Sequence, residues 1–299
     1  MKKNKWYRHL LYYLLIGSRA FFMLLPYRWG FSFGGTLGRI TFHILPKEKR
    51  KTLAHLRTAF GSEKSEKELA KLGEKVFEHY GKTMAELGLV DKILPRINEF
   101  AISTGYENVH EALGKGKGVI VIIAHFGNWE LMGGYSGLVE KMSCNVIARR
   151  IYFEPYDRLL NELRRKMRMN VIYRDSSPKQ VLSILKRNEI LCMVVDQDVD
   201  TVEGVFVNFF GKPAYTPAAP VRFSMVTGAP ILISYAVRDG LKHHITVTPP
   251  IELVNTGNKE EDIRTNTQKW VSLQEEFIRK NPDQWVWNHK RWKTVQSSR

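Results

Sequence analysis

The segment GVIVIIAHFGNWELMGG places a histidine and a glutamate where an apolar run gives way to a helix. Residues 119–124 are all apolar, His125 follows directly, and Glu130 comes five residues later. A carboxylate that is hydrogen-bonded to one nitrogen of an imidazole fixes the tautomer and makes the other nitrogen a better base. The spacing therefore predicts a His125–Glu130 pair that removes a proton from a hydroxyl group.

The neighbouring residues indicate how such a base would be used. Gly127 lets the chain reverse, and Asn128 is predicted to cap the following helix and to contribute to substrate binding. The free N–H groups at the start of that helix would hold a developing oxyanion. Ser136 lacks the spacing of a nucleophile elbow, and neither Cys144 nor Cys192 follows a strand beside a base. We therefore predict direct attack by an activated acceptor hydroxyl, without an acyl-enzyme.

The elements that must position these residues alternate between strands and helices after Pro95. Strands are expected at residues 119–124, 145–149, 170–173, 190–195, 230–236 and 244–248, and helices start near Asn128, Pro155, Pro178, Pro217 and Lys259. Strands separated by helices predict an α/β fold with a mostly parallel central sheet flanked by helices. In such sheets reactive groups collect at the carboxyl ends of the strands, which is where His125 stands.

The first 30 residues have the character of a membrane-associating segment. A basic start is followed by apolar residues from Leu10 to Leu25, with a break at residues 17–19 and aromatic residues at both ends. A membrane crossing needs about 20 mostly apolar residues, so the break favours a helix that lies in the interface or crosses with strain. The alternative is an ordinary buried helix. We predict an N-terminal membrane anchor or interfacial helix at residues 1–30 and one α/β domain at residues 31–299, with an amphipathic helix over residues 65–90.

Charge and cysteine content narrow the classes of partner. The chain has 46 Lys and Arg against 30 Asp and Glu, for a net charge of +16, which favours an anionic partner. No helix-turn-helix, zinc-finger or RNA-binding motif is present, so nucleic acid is not the expected partner. The two cysteines lack metal-ligand spacing and are expected to be core thiols. The run DQDVD lacks the glycine and glutamate of a calcium loop, so no metal is expected.

At this point the motifs resemble a known family. HFGNWE has the H-x4-D/E form of the glycerolipid acyltransferase superfamily, and it is similar to the late acyltransferases of lipid A biosynthesis, the lauroyl and myristoyl transferases. Four further segments resemble that family in the same order along the chain: ARRIYFEPYDRLLNELRRKM, MVVDQD, FFGKPAYTPAAPVRFS and WVWNHKRWKT.

The resemblance implies transfer of a fatty acyl chain to a hydroxyl of a glucosamine-based lipid, with acyl carrier protein as the donor and without a cofactor. The reaction would take place at the cytoplasmic face of the bacterial inner membrane. The alternative is a coenzyme A-dependent acyltransferase that acts on a glycerolipid or mannolipid. The segment GVFVNFFGKPAYTP is expected either to pack in the core or to line a tunnel for the acyl chain.

The resemblance also implies roles for single residues. His125 would be the base and Glu130 its partner, Arg165 would bind substrate, with Arg164 the alternative if the register shifts by one, and Asp196 would be a carboxylate of the site. From the residues themselves, Arg150 belongs with these arginines to a cluster that would suit a phosphorylated headgroup or an acidic carrier protein.

Overall fold

The computed structural model describes residues 7–296. Trp6 and the first lysines of the predicted membrane segment lie outside these residues. Four long helices come first: α1 Tyr7–Leu24, α2 Tyr27–Ile44, α3 Pro46–Phe60 and α4 Glu66–Gly88. Two short helices, α5 Val90–Ile93 and α6 Ile97–Phe100, flank a 3₁₀ turn and lead into the sheet.

The remainder alternates as the sequence predicts. The elements in chain order are β1 Ala101–Thr104, α7 Tyr106–Gly114, β2 Val119–Ile123, α8 Trp129–Leu138, β3 Cys144–Ala148, α9 Glu154–Lys166, β4 Met169–Tyr173, α10 Pro178–Lys186, β5 Ile190–Val194, β6 Gly204–Phe209, β7 Lys212–Pro217, α11 Ala219–Thr227, β8 Ile231–Asp239, β9 Lys242–Val247 and α12 Lys259–Lys280. All six predicted strands are present. β1 and the β6–β7 hairpin were not predicted.

The central sheet has seven strands in the order β1-β9-β8-β2-β5-β3-β4. The five strands from β8 to β4 are parallel to one another, β9 is antiparallel to β8, and β1 is parallel to β9. The prediction of a mostly parallel sheet is therefore confirmed. Because both faces of β2 and β5 are covered, these strands are apolar at nearly every position.

The predicted amphipathic helix over residues 65–90 is confirmed as α4. Ser65 accepts a hydrogen bond from the backbone N–H of Glu68, and the Glu68 carboxylate accepts one from the Ser65 backbone, which makes a capping box. Its apolar residues Leu69, Val76 and Phe77 are buried in the core. The helix thereby supports the sheet and presents a second face to α2.

Helices α2 and α4 approach each other backbone to backbone. A Cβ atom added at Gly34 would come within 2.6 Å of the Gly81 carbonyl oxygen, and one added at Gly38 would come within 2.0 Å of the Phe77 carbonyl oxygen. Only glycine fits at such a contact. The opposite face of α2 exposes the large apolar side chains of Trp29, Phe33, Leu37, Ile40 and Ile44.

The N-terminal helix α1 is also apolar on its outer surface. Its exposed large apolar side chains are those of Tyr7, Leu10, Leu11, Tyr13, Leu14, Leu15, Phe21 and Leu24. On its inner side Tyr12 contacts the rings of Phe153 and Tyr156 at the start of α9. Within residues 7–296, no helix has the combination of length and apolar character that a membrane crossing requires.

Candidate active site

His125 lies two residues beyond the carboxyl end of β2, and Asp196 lies two residues beyond the end of β5. The two strands are parallel neighbours with Ile123 paired to Val194, so the residues that follow them meet at the same edge of the sheet. The Nδ1 atom of His125 lies 2.7 Å from Oδ1 of Asp196. The carboxylate is 1% exposed and the imidazole 20% exposed, so the histidine alone faces outward from the pair.

The Asp196 carboxylate is held on its other side as well. Its Oδ2 atom accepts hydrogen bonds from the backbone N–H of His125 and from Nε1–H of Trp285, both at 2.8 Å. Burial would raise the pKa of Asp196, but the His125 imidazole and these hydrogen bonds outweigh burial and hold that pKa well below its usual range. Asp196 is therefore an anion, and it fixes the proton of His125 on Nδ1 and leaves Nε2 as the acceptor.

The predicted contact between Glu130 and His125 is wrong. Glu130 instead forms an ion pair with Arg164 of α9, in which Nε and NH2 of Arg164 lie 3.1 and 2.5 Å from the two carboxylate oxygens. The reason is that Glu130 projects from the first turn of α8 toward α9, whereas Asp196 reaches the imidazole from the neighbouring strand. Asp196, which the resemblance implies to be a carboxylate of the site, is thus the residue that orients the imidazole.

Of the three arginines predicted to bind substrate, one lies at the site. Arg164 lines a cavity that opens at His125, and its side chain is 13% exposed. The side chain of Arg165 is 71% exposed and lies 4.0 Å from Glu162. Arg150 stacks its guanidinium 3.7 Å over the ring of Tyr173. Arg164, the alternative register, is therefore the arginine that the fold brings beside Glu130.

Asn128 caps α8 as predicted, because its Oδ1 accepts a hydrogen bond from the Leu131 N–H at 3.0 Å. Its amide nitrogen donates to Oε2 of Glu86 on α4 at 2.7 Å. The residue is 1% exposed and does not line the cavity. Because both polar ends of the side chain are engaged inside the protein, Asn128 holds the turn and is not available to a substrate.

A second histidine stands beside the first, and sequence reasoning missed it. The rings of His125 and His289 are 4.6 Å apart and nearly perpendicular. Nε2 of Gln197 lies 2.7 Å from Nδ1 of His289 and 3.3 Å from Nδ1 of His125. Burial, and then the neighbouring His125, lower the pKa of His289 to about 4, so this ring is neutral near pH 7. The aromatic C-terminal segment that carries it also buries Trp285 and Trp287 completely.

A cavity of about 850 Å³ opens at His125. Its inner wall includes residues on one face of the sheet, namely Val121, Cys144, Val146, Ile190 and Cys192, together with Met132 and Met142. Nearer the strand ends, Ile147 and Met193 of the other face line it as well. Ile190 pairs with Val119, so the cavity extends from His125 along nearly the whole of β2, or about 20 Å at a rise of about 3.3 Å per residue. The interior is thus a long apolar space that begins at the base.

The hairpin of β6 and β7 contributes only its last residue, Pro217, to the lining of this cavity. Residues 204–216 pack against α12 and the core, with Phe209 and Ala214 fully buried, and none of them lines the cavity. Of the two expectations for this segment, core packing is confirmed for residues 204–216, and only Pro217 lies at the cavity. Cys144 and Cys192 are buried free thiols, as predicted, and both line the cavity.

The mouth of the cavity differs in character from its interior. It is bordered by basic side chains, namely those of Lys51, Arg149, Arg174, Lys290 and Lys293. Lys51 and Lys293 have acidic partners in Glu48 and Asp200. The site therefore combines an imidazole–carboxylate pair, a cationic rim and an apolar interior.

Comparison with known proteins agrees with this arrangement. A model of the bacterial lipid A biosynthesis acyltransferases matches residues 1–294. The protein belongs to this family. The resemblance drawn from the motifs is thereby confirmed. This family and the relatives compared below are acyltransferases.

The relatives divide between two kinds of acceptor. The lipid A biosynthesis lauroyltransferase of Escherichia coli is 25% identical over 96% of this chain and 92% of its own length. The E. coli myristoyltransferase is 24% identical over 97% of this chain and 90% of its own. The phosphatidylinositol mannoside acyltransferase of Mycobacterium tuberculosis is 25% identical, and the match covers 63% of this chain and 58% of that protein. The chain thus spans less than two thirds of the mycobacterial relative.

Proposed function

We propose that the protein is a membrane-associated O-acyltransferase, which moves a fatty acyl chain from an acyl thioester to a hydroxyl of a lipid A precursor or a related glycolipid. The observation that supports this most directly is the His125–Asp196 pair at the mouth of a long apolar cavity. Acyl carrier protein is the proposed donor, as the resemblance of the motifs implies. The similarity to the mycobacterial relative suggests a mannolipid acceptor as the alternative, and a coenzyme A thioester is the alternative donor.

In the proposed reaction, Nε2 of His125 takes the proton of the acceptor hydroxyl while Asp196 stabilises the imidazolium that forms. The hydroxyl oxygen attacks the thioester carbonyl, and Arg164 faces the negative charge that develops on the carbonyl oxygen. The carbon–sulfur bond then breaks, and His125 returns its proton to the leaving thiolate. The products are an ester and a free thiol, and the thioester itself supplies the activation.

The acyl chain would occupy the apolar cavity with its carbonyl at His125. Cys192 lines that cavity, while the preceding residue of β5, Leu191, points to the opposite face of the sheet. We expect Cys192→Phe to shift the donor preference toward shorter chains, because a phenyl ring there shortens the space below the base. The measurement is turnover with a series of donors of increasing chain length.

Leu191→Phe is the matched control for this variant, since it places the same ring at the same level of the sheet outside the cavity. Overpacking of this kind costs about 1–3 kcal/mol of stability at either position. An equal loss with every donor in both variants would contradict the placement of the chain, since it would reflect destabilisation alone.

The ion pair of Glu130 and Arg164 is proposed to hold the arginine toward the thioester carbonyl. We expect Glu130→Ala to lower turnover by about 10²- to 10³-fold, which is the effect of losing one oxyanion donor. Initial rates with a fixed donor and a glycolipid acceptor would measure it. Glu162→Ala on the outer face of α9 should retain turnover, and an equal loss in both variants would argue against the role.

The acceptor would be recognised at the cationic mouth. Arg149, Arg174 and Lys290 carry charges that suit a phosphorylated or otherwise anionic headgroup, and guanidinium groups bind phosphate in a bidentate manner. The same residues could contact an acidic carrier protein. Both interactions would weaken with rising salt.

Membrane association is proposed to involve α1 and α2. Their exposed apolar side chains lie on the outer surface of residues 7–44, and such a surface suits the headgroup and acyl boundary of a bilayer. Tyr12 packs α1 against the start of α9, whose other end carries Arg164. We propose attachment at the cytoplasmic face of the inner membrane, where the net charge of +16 would favour anionic lipids.

One experiment tests the proposed function directly. The purified protein would receive acyl carrier protein and coenzyme A thioesters of equal chain length in competition, with lipid A precursor and mannolipid acceptors in vesicles. Mass spectrometry of the product would identify the donor, the acceptor and the esterified hydroxyl. Ester formation with the carrier-protein donor is expected, and hydrolysis without transfer to any acceptor would overturn the proposal.

A further inference from the structure

A buried polar cluster lies directly behind the turn that carries His125 and Glu130. Its centre is Glu86 on α4, which is 2% exposed. Its carboxylate accepts hydrogen bonds from Tyr27 Oη at 3.0 Å, Asn128 Nδ2 at 2.7 Å and Arg238 NH2 at 2.8 Å. Nε2 of His243 lies 3.0 Å away. Residues from α2, from the turn before α8 and from the β8–β9 hairpin thus meet on one side chain of α4 that the proposed reaction does not use.

The charge state of the cluster follows from its contacts. Burial would raise the pKa of Glu86, but His243, Arg238 and their hydrogen bonds hold that pKa well below its usual range. Glu86 is thus an anion balanced by a buried arginine. Removal of one member of such a pair leaves an uncompensated buried charge. We therefore expect truncation of Glu86 or Arg238 alone to destabilise the fold.

The turn itself has little freedom apart from this contact. Gly127 has a φ of +61°, and a Cβ atom there would lie 1.7 Å from the Ala236 carbonyl oxygen. The Gly127 N–H donates to the carbonyl of Gln284 at 2.9 Å, and the His125 carbonyl accepts from the N–H of Val286 at 3.1 Å. These bonds fix the backbone on the side of β8 and the C-terminal segment. On the side of α4, Asn128 is fixed through Glu86.

We propose that Glu86 is a positioning residue for acyl transfer: through the Asn128 amide it sets the start of α8, and so the placement of Glu130 relative to His125. The inference rests on the proposed function. It differs from a purely structural role because Asn128 links the cluster to the reacting groups, and a misplacement of about 1 Å at such groups costs about 10²-fold in rate.

A double-mutant cycle isolates this contact. Asn128→Asp keeps a good N-cap for α8 but sets a second carboxylate against Glu86. The double variant Glu86→Gln with Asn128→Asp reverses the polarity of the contact, so that the new amide donates to the new carboxylate, and it preserves the net charge. Arg238 NH2, which donates to the same oxygen of Glu86, loses that acceptor and keeps Thr83 Oγ1. We expect kcat of the single Asn128→Asp variant to fall by about 10²-fold with little change in KM, and the double variant to recover most of it.

Asp262→Asn is the matched control for stability. Asp262 is also a buried carboxylate, but it accepts hydrogen bonds from Thr256 at the start of α12 and is remote from the turn. We expect Asp262→Asn to lower Tm without a comparable loss of kcat. The inference is overturned if Asn128→Asp keeps wild-type kcat, if its loss only matches that of Asp262→Asn at equal Tm, or if the double variant regains Tm but not kcat.

Two further readouts keep the test decisive. Should Asn128→Asp fail to fold, the double variant alone decides. A kcat of the double variant above a tenth of the wild-type value supports the inference, and a lower kcat in a folded double variant overturns it. The rate at which diethyl pyrocarbonate modifies His125, followed by peptide mass spectrometry, needs no turnover. It should change in the single variant and return in the double variant, even if the wild type transferred no acyl chain and the proposed function itself failed.

Discussion

His125→Ala is expected to abolish acyl transfer while the protein stays folded. The imidazole is the group placed to take the hydroxyl proton, and its side chain lies at the mouth of the cavity instead of in the core. General-base catalysis contributes about 10²- to 10⁴-fold. We expect a loss at or beyond the upper end because the neighbouring His289, whose pKa is lowered to about 4 and whose Nδ1 pairs with Gln197 instead of a carboxylate, is a weak base. Single-turnover rates and Tm of the purified variant would measure the two effects separately.

His110→Ala provides the control for this experiment. His110 is an exposed residue of α7, on an element that does not carry any of the reacting groups. Its replacement should leave both Tm and turnover unchanged. Near-normal turnover by folded His125→Ala would refute the proposed mechanism.

Asp196→Asn is expected to lower kcat by about 10³- to 10⁴-fold with the geometry largely intact. The N–H groups of His125 and Trp285 both point at Oδ2, so the amide oxygen of the variant would remain there and its NH₂ group would face Nδ1 of His125. The imidazole would then carry its proton on Nε2 and could not accept one. An effect of about 10⁴-fold is typical when the acid that sets the tautomer of a catalytic histidine becomes an amide.

Measurement of kcat, KM and Tm would distinguish this effect from unfolding. Asp198→Asn is a close control, because Asp198 is buried in the same loop but accepts its hydrogen bonds from Lys293 and Thr294. We expect Asp198→Asn to lower Tm with a much smaller effect on kcat. If the two variants lost activity equally, the carboxylate would be needed for the loop and not for the base.

Much of the fold was predictable because its central strands are covered on both sides. β2 and β5 are apolar at consecutive positions and end at polar or glycine-containing turns, so their bounds were predicted within one or two residues. β1 has only four residues, two of them polar, and its pairing with β9 depends on contacts from a distant part of the chain. The polar and aromatic composition of residues 27–60 concealed α2 and α3, whose helicity is supported by packing on α4.

Only the part of the site that lies within one short segment could be predicted from the sequence. The motif located His125 and Glu130, but a spacing of five residues contains no information about which carboxylate reaches the imidazole. Asp196 does so because β2 and β5 are parallel neighbours in exact register, which is a property of the sheet and not of either segment. His289 lies in the segment WVWNHKRWKT, to which the resemblance drew attention without giving this histidine a role. Glu86 comes from α4 and has no local signal that marks it as part of the site.

The close contact between α2 and α4 constrains how the protein moves. Gly34, Gly38 and Gly81 leave no side chain between the two backbones, and Tyr27 at the start of α2 donates to the same Glu86 that holds Asn128. Under the proposed attachment through α2, a tilt of α2 at the lipid surface would rotate the whole domain as a rigid body, and a change in its depth would move the domain with it. The distance that an acceptor must rise out of its leaflet to meet the imidazole would then be set by how deeply α2 is immersed, and lipid composition would control the rate through that depth alone.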